Sequence, residues 1–226
     1  MTTGLAVRAL VVGSLGAVLL LAGRNARADE VVGALELGLR HELLKDLDLS
    51  GGVQLRLDDG FSRVERWLSE AALGYQLVKP LTLGTGYRLI YSRNGRGEFE
   101  VAHRVHLQAR LRLALKPLGS KLEYRLRLQD RFEREVRAPA EHQWTLRDAL
   151  ELTYTEWKVL KPFISAEHYL ALDELSDAPT RRWKFMLGVQ HDWGPAGLEL
   201  YYRLDVLVAG DDPNRHMIGL QVDLEL

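Results

Sequence analysis

The chain has 226 residues, no cysteine, 46% hydrophobic residues and 30 Lys+Arg against 31 Asp+Glu. That length fits one domain, and the near-neutral balance gives no electrostatic reason to expect a nucleic-acid partner. Without cysteine, neither disulfides nor thiolate metal centres are available.

The first 28 residues read as a signal peptide. Arg8 precedes an apolar or small-residue run, Ala9–Ala22, and Ala26-Arg27-Ala28 has the small-x-small form of a cleavage site. The run is too short for a membrane-spanning helix, which needs roughly 20 residues. Cleavage after Ala28 removes Arg8, Arg24 and Arg27 and no acidic residue. The mature chain, residues 29–226, then carries 27 Lys+Arg against 31 Asp+Glu, a net charge of −4.

From Val31 to the last residue the chain alternates apolar and polar residues with period 2, the mark of strands with two unlike faces. Leu35, Leu37 and Leu39 interleave with Glu36, Gly38 and Arg40. Leu47, Leu49, Val53, Leu55 and Leu57 interleave with Asp48, Ser50, Gln54 and Arg56. Further runs cover Val64–Leu77, Leu81–Ser92, Phe99–Leu115, Leu122–Phe132, Gln143–Thr155, Phe163–Leu170, Arg181–Trp193, Leu198–Val208 and Met217–Leu226. One window, Arg63–Leu73, also has the pattern of an amphipathic helix. Short connectors (Leu44–Asp46, Lys79-Pro80, Lys116–Ser120, Trp157–Pro162, Gly194–Ala196) alternate with longer polar ones (Asp58–Ser62, Arg93–Glu98, Glu133–Glu141, Asp173–Thr180, Ala209–Arg215).

Short turns at one end and longer loops at the other are the layout of an outer-membrane barrel, with periplasmic turns and external loops. The expected fold is therefore all-β: an antiparallel, up-and-down transmembrane β-barrel. Eleven runs are counted, and because single-chain bacterial barrels normally have an even number, ten or twelve strands are expected. Counted back from a last strand that descends to the periplasm, the run from Val31 descends as well. A soluble lipocalin-like barrel gives the same alternation with its faces reversed. The signal peptide and the aromatics near strand ends, Tyr75, Tyr91, Phe99, Phe132, Trp144, Tyr154, Trp183 and Trp193, favour the membrane.

Several segments in order, GYRLIYS (Gly86–Ser92), HRVHLQARLRL (His103–Leu113), YRLRLQDRF (Tyr124–Phe132), LRDALELTY (Leu146–Tyr154), KPFISAEHY (Lys161–Tyr169), LGVQHDW (Leu187–Trp193) and LELYYRL (Leu198–Leu204), follow one pattern. It resembles the bacterial outer-membrane proteins grouped as domain of unknown function 2490. The resemblance spans essentially the whole mature chain. It implies a β-barrel in the outer membrane of a Gram-negative bacterium and brings no activity with it.

The polar parity collects twelve basic residues, among them Arg40, Arg56, Arg88, Arg104, Arg110, Arg112, Arg125, Arg127, Arg147, Arg182, Lys184 and Arg203. It also collects twelve acidic ones, including Asp48, Glu70, Glu123, Glu151, Glu167, Glu199 and Asp205. Arg104, Arg110, Arg112, Arg125, Arg127 and Arg147 form the most basic part, with Glu123, Glu151 and Glu167 as expected counter-charges. Arg88, Arg182 and Arg203 complete the candidate set. One reading is a narrow porin-like channel. The other is a lumen filled by Arg–carboxylate pairs, which equal numbers favour, serving a structural or envelope-interaction barrel.

No enzymatic activity is expected. His103, His168 and His191 have lipid-facing parity, and His142 and His216 stand at external strand ends with no adjacent serine. Asp211–Asn214 lacks the spacing of a Ca²⁺ loop, so no metal or cofactor is expected. The expected partners are outer-membrane lipid and, during biogenesis, the barrel-assembly machinery. An outer-membrane hydrolase and a soluble periplasmic binder are the remaining alternatives.

Overall fold

The computed structural model describes residues 30–58, 61–94, 96–133, 141–172, 180–208 and 214–226. The signal segment and Asp211–Pro213 lie outside them. The described residues form eleven strands: β1 (Glu30–Leu44), β2 (Leu47–Asp58), β3 (Arg63–Val78), β4 (Leu81–Arg93), β5 (Phe99–Leu115), β6 (Ser120–Glu133), β7 (Glu141–Tyr154), β8 (Lys161–Ala171), β9 (Thr180–Trp193), β10 (Ala196–Leu207) and β11 (Arg215–Glu225). Each pairs with the next, and β1 pairs with β11, so the sheet closes into a barrel. The eleven alternating runs are the eleven strands. The ambiguous window Arg63–Leu73 lies in β3, whose backbone is paired on one side by β2 and on the other by β4.

The even count expected from other barrels gives way to an odd one, and strand direction gives the reason. β1 and β11 both run from the loop end of the barrel to the turn end, so the pair that closes it is parallel, while the other ten pairings are antiparallel. Parallel pairing is slightly weaker per residue than antiparallel. This seam is fastened at both ends. At the loop end Arg215 Nε donates to Glu30 Oε2 at 2.6 Å and Nη1 to Glu65 Oε1 at 3.1 Å. At the turn end Leu226 N donates to Arg40 O at 2.8 Å, and His41 Nδ1 shares a hydrogen bond with Leu226 O at 2.8 Å.

The turns are built from residues suited to tight reversals. Asp46 (φ 66°), Gly119 (φ 56°) and Gly194 (φ 59°) take the left-handed conformation, which glycine adopts freely and Asp tolerates. After the 3₁₀ turn Lys116–Leu118, Gly119 O accepts from Thr155 N and Oγ1 at 2.8 and 3.0 Å, tying two turns together.

Which face points inward decides the environment. Leu35, Leu37, Leu39, Leu107, Leu126, Leu150, Leu198 and Leu200 stand exposed on the outer wall, Leu107 at 62%. Arg56, Arg127, Arg147, Glu167, Arg203 and Asp205 are buried inside. A water-soluble barrel has the reverse arrangement, and an apolar outer wall of this extent needs a lipid solvent. Aromatics ring that wall toward both ends: Trp67, Tyr91, Trp144 and Trp183 toward the loops, Tyr75 and Trp193 toward the turns. On β9, Trp183 and Trp193 are ten residues apart. At ~3.3 Å per residue and ~40° tilt this is about 25 Å, the height of the apolar band of outer-membrane barrels.

The parallel seam is testable because the chain has no native cysteine. Leu37→Cys with Val222→Cys, paired in register on the outer wall, is expected to cross-link on oxidation and shift the protein's electrophoretic mobility. Leu37→Cys with Ile218→Cys, four residues out of register, is expected to stay open. Equal cross-linking in both pairs rules out this register.

Candidate functional site

Strand alternation brings the charged parity into the lumen, and cross-strand neighbours there meet in defined groups. The most buried group centres on Glu167 of β8. Its Oε1 accepts from Arg147 Nη2 at 2.6 Å and Arg125 Nη2 at 2.9 Å, and Oε2 accepts from Tyr169 Oη at 2.8 Å. Arg147 also donates to Gln129 Oε1 at 3.1 Å. The Tyr169 ring is faced by three cations, Arg147, Arg182 and Lys184, at 4.4, 4.5 and 4.7 Å from its centroid, within the range of cation–π attraction.

The other groups follow the same logic. Arg203 donates to both oxygens of Asp205 at 2.8 and 3.3 Å, with Arg182 at 3.7 Å. Arg88 pairs with Glu70. Arg110 and Arg112 share Glu123 at 3.1 and 2.8 Å, and Arg40 meets Asp48 at 2.5 Å. These ion pairs lie in a partly dry interior, where an isolated charge is costly.

Nine of the candidates, Arg88, Arg110, Arg112, Glu123, Arg125, Arg147, Glu167, Arg182 and Arg203, thus stand in ion pairs. The other three depart from the expected pairing. Arg127 donates to the neutral Gln108 at 2.7 and 3.2 Å. Arg104 has no carboxylate at salt-bridge distance among the described residues, and its buried Nε has no hydrogen-bond partner. Glu151 accepts from Thr153 at 3.2 Å and meets no cation at salt-bridge distance among the described residues. Nor do the twelve form one cluster: Arg104 lies in the loop half of β5, Arg110 and Arg112 in its turn half.

Equal numbers of each sign therefore do not mean complete pairing. Arg56, Arg104 and Lys184, cations with no carboxylate at salt-bridge distance among the described residues, all sit toward the loop ends of their strands. Glu151, Glu199 and Asp223, carboxylates with no such cation, all sit toward the turn ends. Arg127 and Glu36, near mid-strand, and Glu100, at the loop end of β5, depart from this pattern; the remaining unpaired charges polarise the lumen along its axis.

Its free space is polarised too. A cavity of about 630 Å³ occupies the turn end, between Arg40, Asp48, Arg110, Asp192, Glu199 and Glu225. It adjoins a central cavity of about 310 Å³ and one of about 200 Å³ beside β2, with Gln221 in the wall of all three. The lumen also carries apolar groups. Leu68, Ile90 and Ala102 form one buried cluster, and Val32, Ala34, Phe163, Tyr201 and Met217 another. His106, 2% exposed, fills the wall between. It packs so closely on Gly86 that a Cβ there would overlap its ring.

Sequence reasoning missed the neutral groups that solvate these charges. Tyr169, Tyr201, Gln108, Gln129 and Gln190 all have lumen parity, and that parity was their only available signal. It also missed how polar residues on the lipid face are satisfied. Tyr87 Oη and His103 Nδ1 share a 2.6 Å hydrogen bond, and His103 stacks on Phe132 at 5.3 Å. His142 Nδ1 meets the buried Asp130 Oδ2 at 2.6 Å. His168 bonds Asp148 at 3.2 Å and stacks on Trp183 at 4.5 Å.

The Glu167 group has a stability consequence. Glu167→Ala leaves Arg125 and Arg147 without their carboxylate and is expected to cost about 3 kcal/mol, the usual penalty for stranding a buried charge. Adding Arg147→Met is expected to recover at least half of the loss. Urea unfolding in phospholipid vesicles, followed by tryptophan fluorescence, measures both.

With the geometry in place, comparison with known proteins adds three findings. No curated protein matches the chain. Among solved structures it is similar to LpxR from Salmonella typhimurium, at 9% identity and a TM-score of 0.51, over 79% of this chain and 83% of that one. This likeness supports an outer-membrane type of barrel. It also overturns the expectation that the chain is not an enzyme: LpxR is an outer-membrane barrel enzyme, so the fold gives no ground for excluding catalysis. The family described as Protein of unknown function (DUF2490) matches residues 35–222, and the chain belongs to that family.

Proposed function

We propose that this protein is a narrow, solute-selective channel of the outer membrane, entered from the periplasm through the wide cavity at the turn end. The observation that carries the reading is the run of three adjoining, charge-lined cavities inside a wall whose outside is apolar. The constriction is the Glu167–Arg147–Tyr169 group with the Arg203–Asp205 pair. A solute passing them exchanges its water for fixed donors and acceptors, which is how a narrow filter selects. In this reading residues 1–28 direct export and are removed, and the barrel-assembly machinery inserts the strands.

A second reading rests on the outer surface at the loop end. His142 is half exposed, and its Nδ1 is held by the buried Asp130. An imidazole oriented by a carboxylate in this way presents Nε2 as a general base. Here it would activate water against an ester in the outer leaflet.

For the channel, purified protein in planar bilayers is expected to give small conductance steps. Arg147→Ser combined with Glu167→Ser is expected to raise them about two-fold or more by widening the filter. No steps from either protein, and no solute uptake in liposomes, overturns the reading. For the rim site, hydrolysis of ester lipids in mixed micelles is expected to be lost in His142→Ala. Absence of hydrolysis by the unaltered protein removes that second reading.

A further inference from the structure

The central cavity, about 310 Å³, has the volume of a small ligand pocket. Most charges in its wall are already answered. Arg125 and Arg147 share Glu167, Arg203 holds Asp205, Arg88 holds Glu70, and Glu123 serves Arg110 and Arg112. Five remain with no counter-charge at salt-bridge distance among the described residues. Arg56 is only 8% exposed and donates to the neutral Gln54 at 2.9 Å. Lys184 has its ammonium over the Tyr169 ring at 4.7 Å. Glu36 accepts from Tyr201, Glu151 from Thr153 at 3.2 Å and Glu199 from Gln190 at 3.1 Å.

Four of these five separate along the axis, while Glu36 lies near the middle of β1. Arg56 stands two residues from the loop end of β2, and Lys184 four residues from the loop end of β9. Glu151 and Glu199 each lie three residues from the turn ends of β7 and β10. One cavity therefore has a cationic pole toward the loops and an anionic pole toward the turns. A wall charge taken out of water with no ion pair of its own is left short of stabilisation, and a ligand group of opposite sign supplies it. A simple anion satisfies Arg56 and is repelled by Glu151 and Glu199. A simple cation does the reverse.

We infer that the central cavity binds a small zwitterion, with its carboxylate toward Arg56 and Lys184 and its ammonium toward Glu151 and Glu199. This assigns a solute class to the channel reading and rests on it for transport, but binding stands independently of conduction.

Three five-carbon probes of nearly equal size separate the possibilities: 5-aminopentanoate, glutarate and 1,5-diaminopentane. Isothermal titration of the detergent-solubilised barrel is expected to show 5-aminopentanoate binding about ten-fold or more tightly than either homologue. Arg56→Glu is expected to reverse the order in favour of the diamine, and Glu199→Gln to narrow the gap to glutarate. Heat-modifiable electrophoretic mobility confirms that each variant is folded, and the wild-type series alone decides the matter if one is not. Equal binding of glutarate or the diamine, or no binding of any probe, overturns the zwitterion site. Liposome flux is read separately: preferential binding without flux sinks the channel and leaves the site standing, whereas flux of all three probes without preference sinks only the site.

Discussion

Everything in this barrel follows from the need to leave no backbone amide or carbonyl unpaired in hydrocarbon. A sheet meets that need only by closing on itself, and here closure falls to the parallel contact between β1 and β11. That contact is the one place where chain continuity gives no help, because its two strands are at opposite ends of the sequence. The Glu30–Arg215–Glu65 group and the Leu226 bonds to β1 stand at its two ends. They hold the register where a one-residue slip would turn every side chain of a strand to the wrong solvent.

Closure with the apolar parity outward leaves the charged parity inside, and an eleven-strand circumference is too narrow to hydrate all of it. The structure answers with shared partners. One Glu167 serves two arginines and a tyrosine, one Asp205 serves Arg182 and Arg203, and one Glu123 serves Arg110 and Arg112. Sharing concentrates counter-charge at a few points and frees other charges from pairing. The polarised central cavity is a product of that economy.

Strand positions and faces were legible because period-2 alternation is a local property, and the eleven runs need no knowledge of their neighbours. Which face points inward was not legible from alternation, which looks the same for a soluble barrel turned inside out. The turn–loop asymmetry and the aromatic residues near strand ends carried that inference. The even strand number was carried over from other barrels, even though the directions of the first and last runs already pointed to a parallel pair. Ion pairs were least legible. Arg127 meets Gln108, and Arg125 meets Glu167 two strands away, because strand tilt and shear set who faces whom across the lumen. The Asp130–His142 contact escaped for a related reason: the two residues are diagonal neighbours on adjacent strands, not a directly opposed pair.

The odd strand count also bears on how such a barrel is made. In an even-stranded barrel every strand can enter the bilayer as half of a hairpin, both free edges starting and finishing on the side from which the chain arrives. Here Glu30 opens β1 at the loop end and Glu225 closes β11 at the turn end. Pairing off the other strands as hairpins that enter from the turn end leaves β1 over. That strand joins the barrel through β2 on one side and through the parallel seam with β11 on the other.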